Sequence, residues 1–113
     1  MTTGYAVILG GGESGTASAL LAQQQGWEVF VSEQSTLKPA YRKELLAHEI
    51  AFEENGHTLD KLKHADLIVK SPGIPQTAQT VLQLREKGIP ILSDLEWAYR
   101  FLPEETKLIT VTG

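Results

Sequence analysis

The chain contains no cysteine, which excludes a disulfide framework, thiol catalysis and any cysteine-based metal site. Grouped basic residues are also missing: ten Lys and Arg stand against fourteen Asp and Glu, a formal net charge of -4. Proteins that hold nucleic acid collect cations on one face, so nucleic acid is not an expected partner. No apolar run approaches the roughly 18 residues of a membrane span. Met1 to Gly4 have neither the positive region nor the apolar core of a signal peptide. These absences point to a soluble, cytoplasmic protein with no membrane partner, and a monomer is expected. Repeats and low-complexity segments are absent as well. The three histidines, His48, His57 and His64, lack metal-ligand spacing and lie in or beside polar segments, so solvated or capping roles are expected and no metal is.

What is present starts with size. With 113 residues and 42% hydrophobic content, the chain can build one domain with a real core, and not two ordinary ones. The organising stretch is Ala6 to Gly15. An apolar run from Tyr5 to Leu9 breaks into Gly10-x-Gly12-x-x-Gly15, and Thr16 to Gln25 then shows helical spacing with Ala17, Leu20 and Leu21 on one face. Gly10 suits a positive φ at the strand exit, Gly12 lets a ligand approach the backbone, and Gly15 allows helix and strand to pack closely. The amides at the helix start have no intrahelical acceptor, and the macrodipole adds roughly half a positive charge there. A diphosphate fits such an end. A second apolar run, Trp27 to Val31 after the helix stop at Gly26, ends in Glu33, near the spacing of a ribose-binding acid.

The remaining chain alternates in the same way. Pro39 opens a helix with Tyr41, Leu45 and His48 at helical spacing, and Ile50 to Phe52 is a weak strand. Thr58 to His64 suggests a helix of about two turns. Ala65 to Val69 is a strand stopped by Lys70-Ser71-Pro72-Gly73-Ile74-Pro75. Thr77 to Lys87 is helical with Ala78, Val81, Leu82 and Arg85 on one side, and Ile89 to Leu92 is the next strand. Ser93-Asp94-Leu95-Glu96 has capping-box spacing, starting a helix near Asp94 whose apolar face is expected at Leu95, Ala98, Tyr99 and Leu102. Trp27 and Trp97 read as packing residues. The order predicts an α/β, Rossmann-like doubly wound parallel sheet of about five strands with helices on both faces. Residues 1–102 form the domain, 103–106 read as a linker, and Lys107 to Val111 is a further apolar run. Because it closes on Thr112-Gly113, residues 107–113 are expected to be the first strand of a second, truncated domain.

Three motifs in order carry a resemblance: Gly10-Gly11-Gly12-Glu13-Ser14-Gly15, Ser71-Pro72-Gly73-Ile74-Pro75 and Gly88-Ile89-Pro90-Ile91-Leu92-Ser93-Asp94-Leu95-Glu96, followed by Ile109-Thr110-Val111-Thr112-Gly113. Together they resemble the amino-terminal domain of the muramyl ligases of peptidoglycan synthesis, and most of all the branch that adds D-glutamate to UDP-N-acetylmuramoyl-L-alanine. The resemblance implies a chain that binds the uridine diphosphate part of that substrate, with central and C-terminal domains of the same protein as partners. It implies ATP and Mg as cofactors of the full-length enzyme, an ADP-forming acid–amino acid ligase, and no cofactor or catalytic residue in the present stretch. Gly113 would be the first glycine of the ATP loop. By position the diphosphate would meet Gly12, Glu13, Ser14 and Gly15, and the uridine Glu33, Gln34 and Ser35, with Ser71, Pro72 and Gly73 closing the other side. Glu13 is tolerable beside an anion only if its side chain points to solvent. Ser35 falls where some relatives carry an arginine over the base. The competing expectation is an NAD-binding regulatory Rossmann domain with Glu33 on the adenosine ribose.

Overall fold

The computed structural model describes residues 3–102. The expected linker at 103–106, the strand at 107–113 and the loop remnant Gly113 lie outside the described residues.

Among the described residues five strands form one parallel sheet: β1 Tyr5–Leu9, β2 Glu28–Ser32, β3 Ala51–Glu53, β4 Leu67–Lys70 and β5 Ile91–Ser93, in the order β3-β2-β1-β4-β5. Between them run the helices α1 Glu13–Gln24, α2 Pro39–Ala47, α3 Leu59–Leu62 and α4 Gln79–Glu86, with α5 Asp94–Tyr99 after the last strand. The central strand is covered on both sides, and a strand so placed must be apolar without alternation. Ala6, Val7, Ile8 and Leu9 accordingly have no exposed surface. Ile8, Val31 and Val69 stand side by side across three strands and meet Ala19 and Ala22 of α1, Leu45 of α2 and Trp97 of α5. On the opposite face Val7, Leu9, Phe30 and Ile68 meet Leu62 of α3 with Val81 and Leu84 of α4. The expected doubly wound sheet is therefore present, with its core in two layers.

The helix faces differ from expectation in three places. In α1 the buried residues are Gly15, Thr16, Ser18, Ala19 and Ala22, whereas Ala17 is exposed and Leu20 and Leu21 lie at the margin. Small side chains let this helix lie close to the sheet, and an apolar-spacing argument overlooks them. In α4, Val81 and Leu84 point inward while Leu82 and Arg85 are exposed. In α5 the inward residue is Trp97; Leu95 is 78% exposed and Ala98 is exposed too. Trp97 dominates because burying one indole removes more apolar surface than burying a leucine on the neighbouring face. Its ring lies edge-on to Trp27 at 6.0 Å, and its Nε1 donates to the Ser18 carbonyl at 3.3 Å. Both tryptophans are packing residues, as read from the sequence. The expected two-turn helix over Thr58 to His64 is a single turn, anchored by the buried Leu62.

From β3 at one edge the chain crosses to β4 on the far side of β1. The crevice outside the carboxyl ends of β1 and β4 is the topological switch point, where open α/β sheets bind ligands. The glycine turn and the Ser71–Pro75 loop both open there.

Candidate functional site

The turn after β1 is built as its glycines require. Gly10 has φ +101°, a value open to glycine, and its amide donates to the Ser32 carbonyl at 2.8 Å. A Cβ on Gly15 would lie 1.8 Å from the Gly10 carbonyl oxygen, so helix and turn touch backbone to backbone. Gly12 is the N-cap of α1 and is exposed, and apart from its chain neighbours no described residue comes within 4 Å of where its Cβ would be. No side chain caps this end. The amides of Glu13, Ser14 and Gly15 donate to no acceptor among the described residues, while that of Thr16 already reaches Gly12 O at 2.9 Å. Glu13 is exposed, the condition under which its charge is tolerable beside an anion.

Glu33 holds the turn and its neighbouring loop together. Its Oε1 accepts from Gly11 N–H at 2.7 Å and its Oε2 from Ser35 N–H at 2.9 Å. The segment beyond it is tied to the exit of β3. Glu54 accepts from Leu37 N–H at 2.7 Å and from Arg42 Nη2 at 2.6 Å. The Arg42 bond, then the Leu37 bond, hold the Glu54 carboxyl below its ordinary value. Across the switch point Ser71 N–H donates to Leu9 O at 2.9 Å, and the Ser71 side chain touches the Gly10 backbone. Lys70, only 5% exposed, turns its ammonium back on this loop and donates to Ile74 O at 2.6 Å and Ser71 O at 3.3 Å.

Two clefts of about 340 Å³ each flank the Glu33–Ser35 segment. One lies over the glycine turn, walled by Gly11, Gly12, Glu13 and Glu33 with Thr36, Leu37, Lys38 and Tyr41 opposite. The other, walled by Leu9, Gln34, Gly56, His57, Ile74 and the start of α4, lies on the opposite face of the sheet edge. The structure thus brings Gly12, Glu13 and Glu33 to one cleft and Gln34 to the next. Ser14 and Gly15 lie in the first turn of α1 beneath the first, and the Ser35 amide is spent on Glu33. Pro72 and Gly73 are exposed and wall neither cleft.

Sequence reasoning missed Lys38, Tyr41 and His57. Lys38 and Tyr41 are the N-cap and third residue of α2, and the signal that could have found them is that a helix after β2 starts beside the helix after β1. His57 departs from its expected solvated or capping role. It is half-buried, with Nδ1 2.6 Å from the Ser32 hydroxyl, whereas His48 and His64 are exposed.

A parallel sheet with a glycine-opened helix at its switch point, whose start no described side chain caps, defines a Rossmann-like domain, and solved structures with this fold include Mur ligases. The match to the UDP-N-acetylmuramate:L-alanyl-gamma-D-glutamyl-meso-diaminopimelate ligase of Neisseria meningitides has a TM-score of 0.74 at 24% identity, over 88% of this chain and 31% of that one. The match to a pseudomurein peptide ligase type C of Methanothermus fervidus has a TM-score of 0.76 at 19% identity, over 90% and 21%. At such identities the likeness is one of fold.

Sequence carries the assignment further. The MurD N-terminal domain profile matches residues 6–80, and the chain belongs to that family. Curated relatives named UDP-N-acetylmuramoylalanine–D-glutamate ligase are 47% identical over 107 residues in Bacteroides fragilis and 45% in Cytophaga hutchinsonii. Each match covers 95% of this chain, which spans 24% of those relatives' length.

Proposed function

We propose that the chain binds the uridine diphosphate part of UDP-N-acetylmuramoyl-L-alanine, as the N-terminal domain of an ATP-dependent ligase that adds D-glutamate in cytoplasmic peptidoglycan precursor synthesis. The observation that carries this reading is the helix start at which the amides of Glu13, Ser14 and Gly15 meet no described acceptor, beside a cleft walled by Gly12, Glu13 and Lys38. A diphosphate satisfies amide donors and macrodipole together. No described residue pairs with the Lys38 ammonium, which leaves it available to the same anion. The Ser14 hydroxyl adds a donor, and the uridine extends past Glu33, Gln34 and Ser35 toward the loop at Ser71, Pro72 and Gly73.

In this reading ATP and Mg act in the full-length enzyme on residues after 102, beginning with the loop at Gly113. The share of the present domain is positional. A handle held far from the reacting carboxylate spends its binding energy on orienting that carboxylate, which lowers the barrier without any catalytic group here. Glu33 contributes by shaping the turn, since both its oxygens already accept backbone amides.

The test is an amide NMR titration of the chain with UDP-N-acetylmuramoyl-L-alanine in one series and NAD in the other. Shifts at Gly12 to Gly15 with the UDP ligand alone are expected. Shifts with NAD alone would replace the proposal with the NAD-sensing one. Lys38→Met should weaken UDP binding about three- to tenfold, the worth of one screened charge contact.

A further inference from the structure

The second cleft holds a group that the reading above does not use. Ser32, the last residue of β2, has no exposed surface, so water does not reach its hydroxyl. Its Oγ lies 2.8 Å from Glu53 Oε2 and 2.6 Å from His57 Nδ1. Glu53 also accepts from Thr58 N–H at 2.9 Å and Thr58 Oγ1 at 2.6 Å, so it is an acceptor on every side. A hydroxyl has one proton. It goes to Glu53, and Oγ therefore accepts from Nδ1–H. When neutral, the imidazole is fixed with its proton on Nδ1 and a lone pair on Nε2. No described residue bonds Nε2. Among the described residues Arg42 Nε alone is a buried side-chain nitrogen or oxygen without a partner, so Nε2 is open to solvent, in a ring that walls the cleft beside Gln34 and Ile74.

We infer that His57 is a specificity-determining residue of the nucleoside pocket, offering Nε2 as an acceptor to an N–H or O–H donor of the bound nucleoside. The inference rests on the nucleotide reading and adds to it the one acceptor whose proton state the fold dictates. Three groups of a uridine nucleotide supply such a donor: the imide N3–H of the base and the 2′- and 3′-hydroxyls of the ribose. Cytosine has a lone pair at N3 and would meet Nε2 acceptor to acceptor, a mismatch that buried polar sites reject.

The same geometry makes the preference depend on pH. The charged groups facing the ring are Glu53 from β3 and Glu33 from the exit of β2, while the start of α4 brings the neutral Gln79 and Thr80. Burial holds the imidazole below its ordinary value, against the pull of the two carboxylates. At pH above this lowered folded value Nε2 accepts. Below it Nε2–H donates, and the advantage of uracil over cytosine is lost.

The test titrates the 113-residue chain with UDP, CDP and 2′-deoxy-UDP, followed by amide NMR, in wild type, His57→Phe and His57→Gln. Wild type should bind UDP roughly tenfold more tightly than CDP near neutral pH, the worth of one hydrogen bond made against one opposed. His57→Phe should erase that ratio, and His57→Gln, which keeps an acceptor, should restore part of it. In wild type the ratio should shrink as pH is lowered from neutral to well below the ordinary histidine value, and in His57→Phe it should stay flat. Loss of affinity for 2′-deoxy-UDP with UDP and CDP equal would assign the donor to the ribose and support the inference equally. Equal binding of all three nucleotides by wild type and His57→Phe, with shifts at Gly12 to Gly15 in both, would overturn the inference and leave the nucleotide reading intact. Absence of shifts with every nucleotide would overturn both. Should His57→Phe fail to reproduce the wild-type amide spectrum, wild type and His57→Gln decide near neutral pH, and UDP, CDP and 2′-deoxy-UDP all bound equally, with the same affinity in both proteins, would overturn the inference.

Discussion

Two glycines of one turn separate stability from binding. At Gly15 a methyl group would meet the Gly10 carbonyl at 1.8 Å, a backbone contact that cannot yield without moving helix and strand apart. Gly15→Ala should therefore cost about 2–4 kcal/mol, read as a lowered urea midpoint at unchanged slope. At Gly12 the space is empty and φ is -77°, a value any residue adopts. Gly12→Ala should change stability by no more than about 0.5 kcal/mol while intruding on the path of a diphosphate, so it should fold normally and bind UDP weakly. Equal loss of stability in both variants would show that the turn is a packing device only. Lys70 is a third test at this scale. Its ammonium serves two carbonyls of the Ser71–Pro75 loop, and Lys70→Met would leave the Ile74 carbonyl without its donor. The expected cost is about 1–3 kcal/mol, with faster amide exchange at Ile74, whose N–H bonds Ser71 O across the same loop.

At the scale of elements, the legible features were those with a local cause. Apolar runs marked the five strands of the described residues to within two residues; the signature is continuous in β1, β2 and β4, which are covered on both faces, and short in the edge strands β3 and β5. Ser93 and Glu96 marked the start of α5, where both arms of the capping box form: Ser93 Oγ accepts from Glu96 N–H at 3.0 Å and Glu96 Oε1 from Ser93 N–H at 3.0 Å. Ser93→Ala should cost about 1 kcal/mol and loosen α5, detected as a lowered melting temperature together with altered Trp97 fluorescence. Helix faces were less legible, since Trp97, Leu84 and the small residues of α1 are selected by the shape of the sheet they meet. The candidate site divides in the same way. The glycine turn is contiguous in sequence and could be read directly, and Glu33 could be reached by spacing. The Ser32–Glu53–His57 group spans the ends of two adjacent strands and the loop that follows, and only the β2–β3 register unites it.

For the whole molecule, that group ties folding to pH. In the folded chain the His57 imidazole is held below its ordinary 6.5, burial outweighing the attraction of Glu53 and Glu33. As pH falls through 6.5 the unfolded chain takes up this proton first, so it binds more protons than the native state and stability falls. Glu53 acts in the next window. Burial pushes its carboxyl up, but the bonds from Thr58 and Ser32 and the charge of Lys61 outweigh that and hold it below 4.5. Its contribution is complete above the unfolded value and disappears as pH falls through the lower folded one. Asp60 beside Lys63 and Glu96 beside Ser93 are held low as well and add to this second window. The signs agree, so acid should destabilise the protein in two stages. These groups are partly open to water, which screens each contribution and keeps the first stage shallow. Melting temperature should be level above about pH 7, decline gently below about 6.5 and fall more steeply below about 4.5. His57→Phe should flatten the first decline and leave the second in place. A melting temperature that rises between about pH 7 and about pH 5 would mean that the carboxylates, and not burial, govern the ring. Nε2 would then take up its proton above the ordinary 6.5, and the pocket would begin to present a donor nearer neutral pH than inferred.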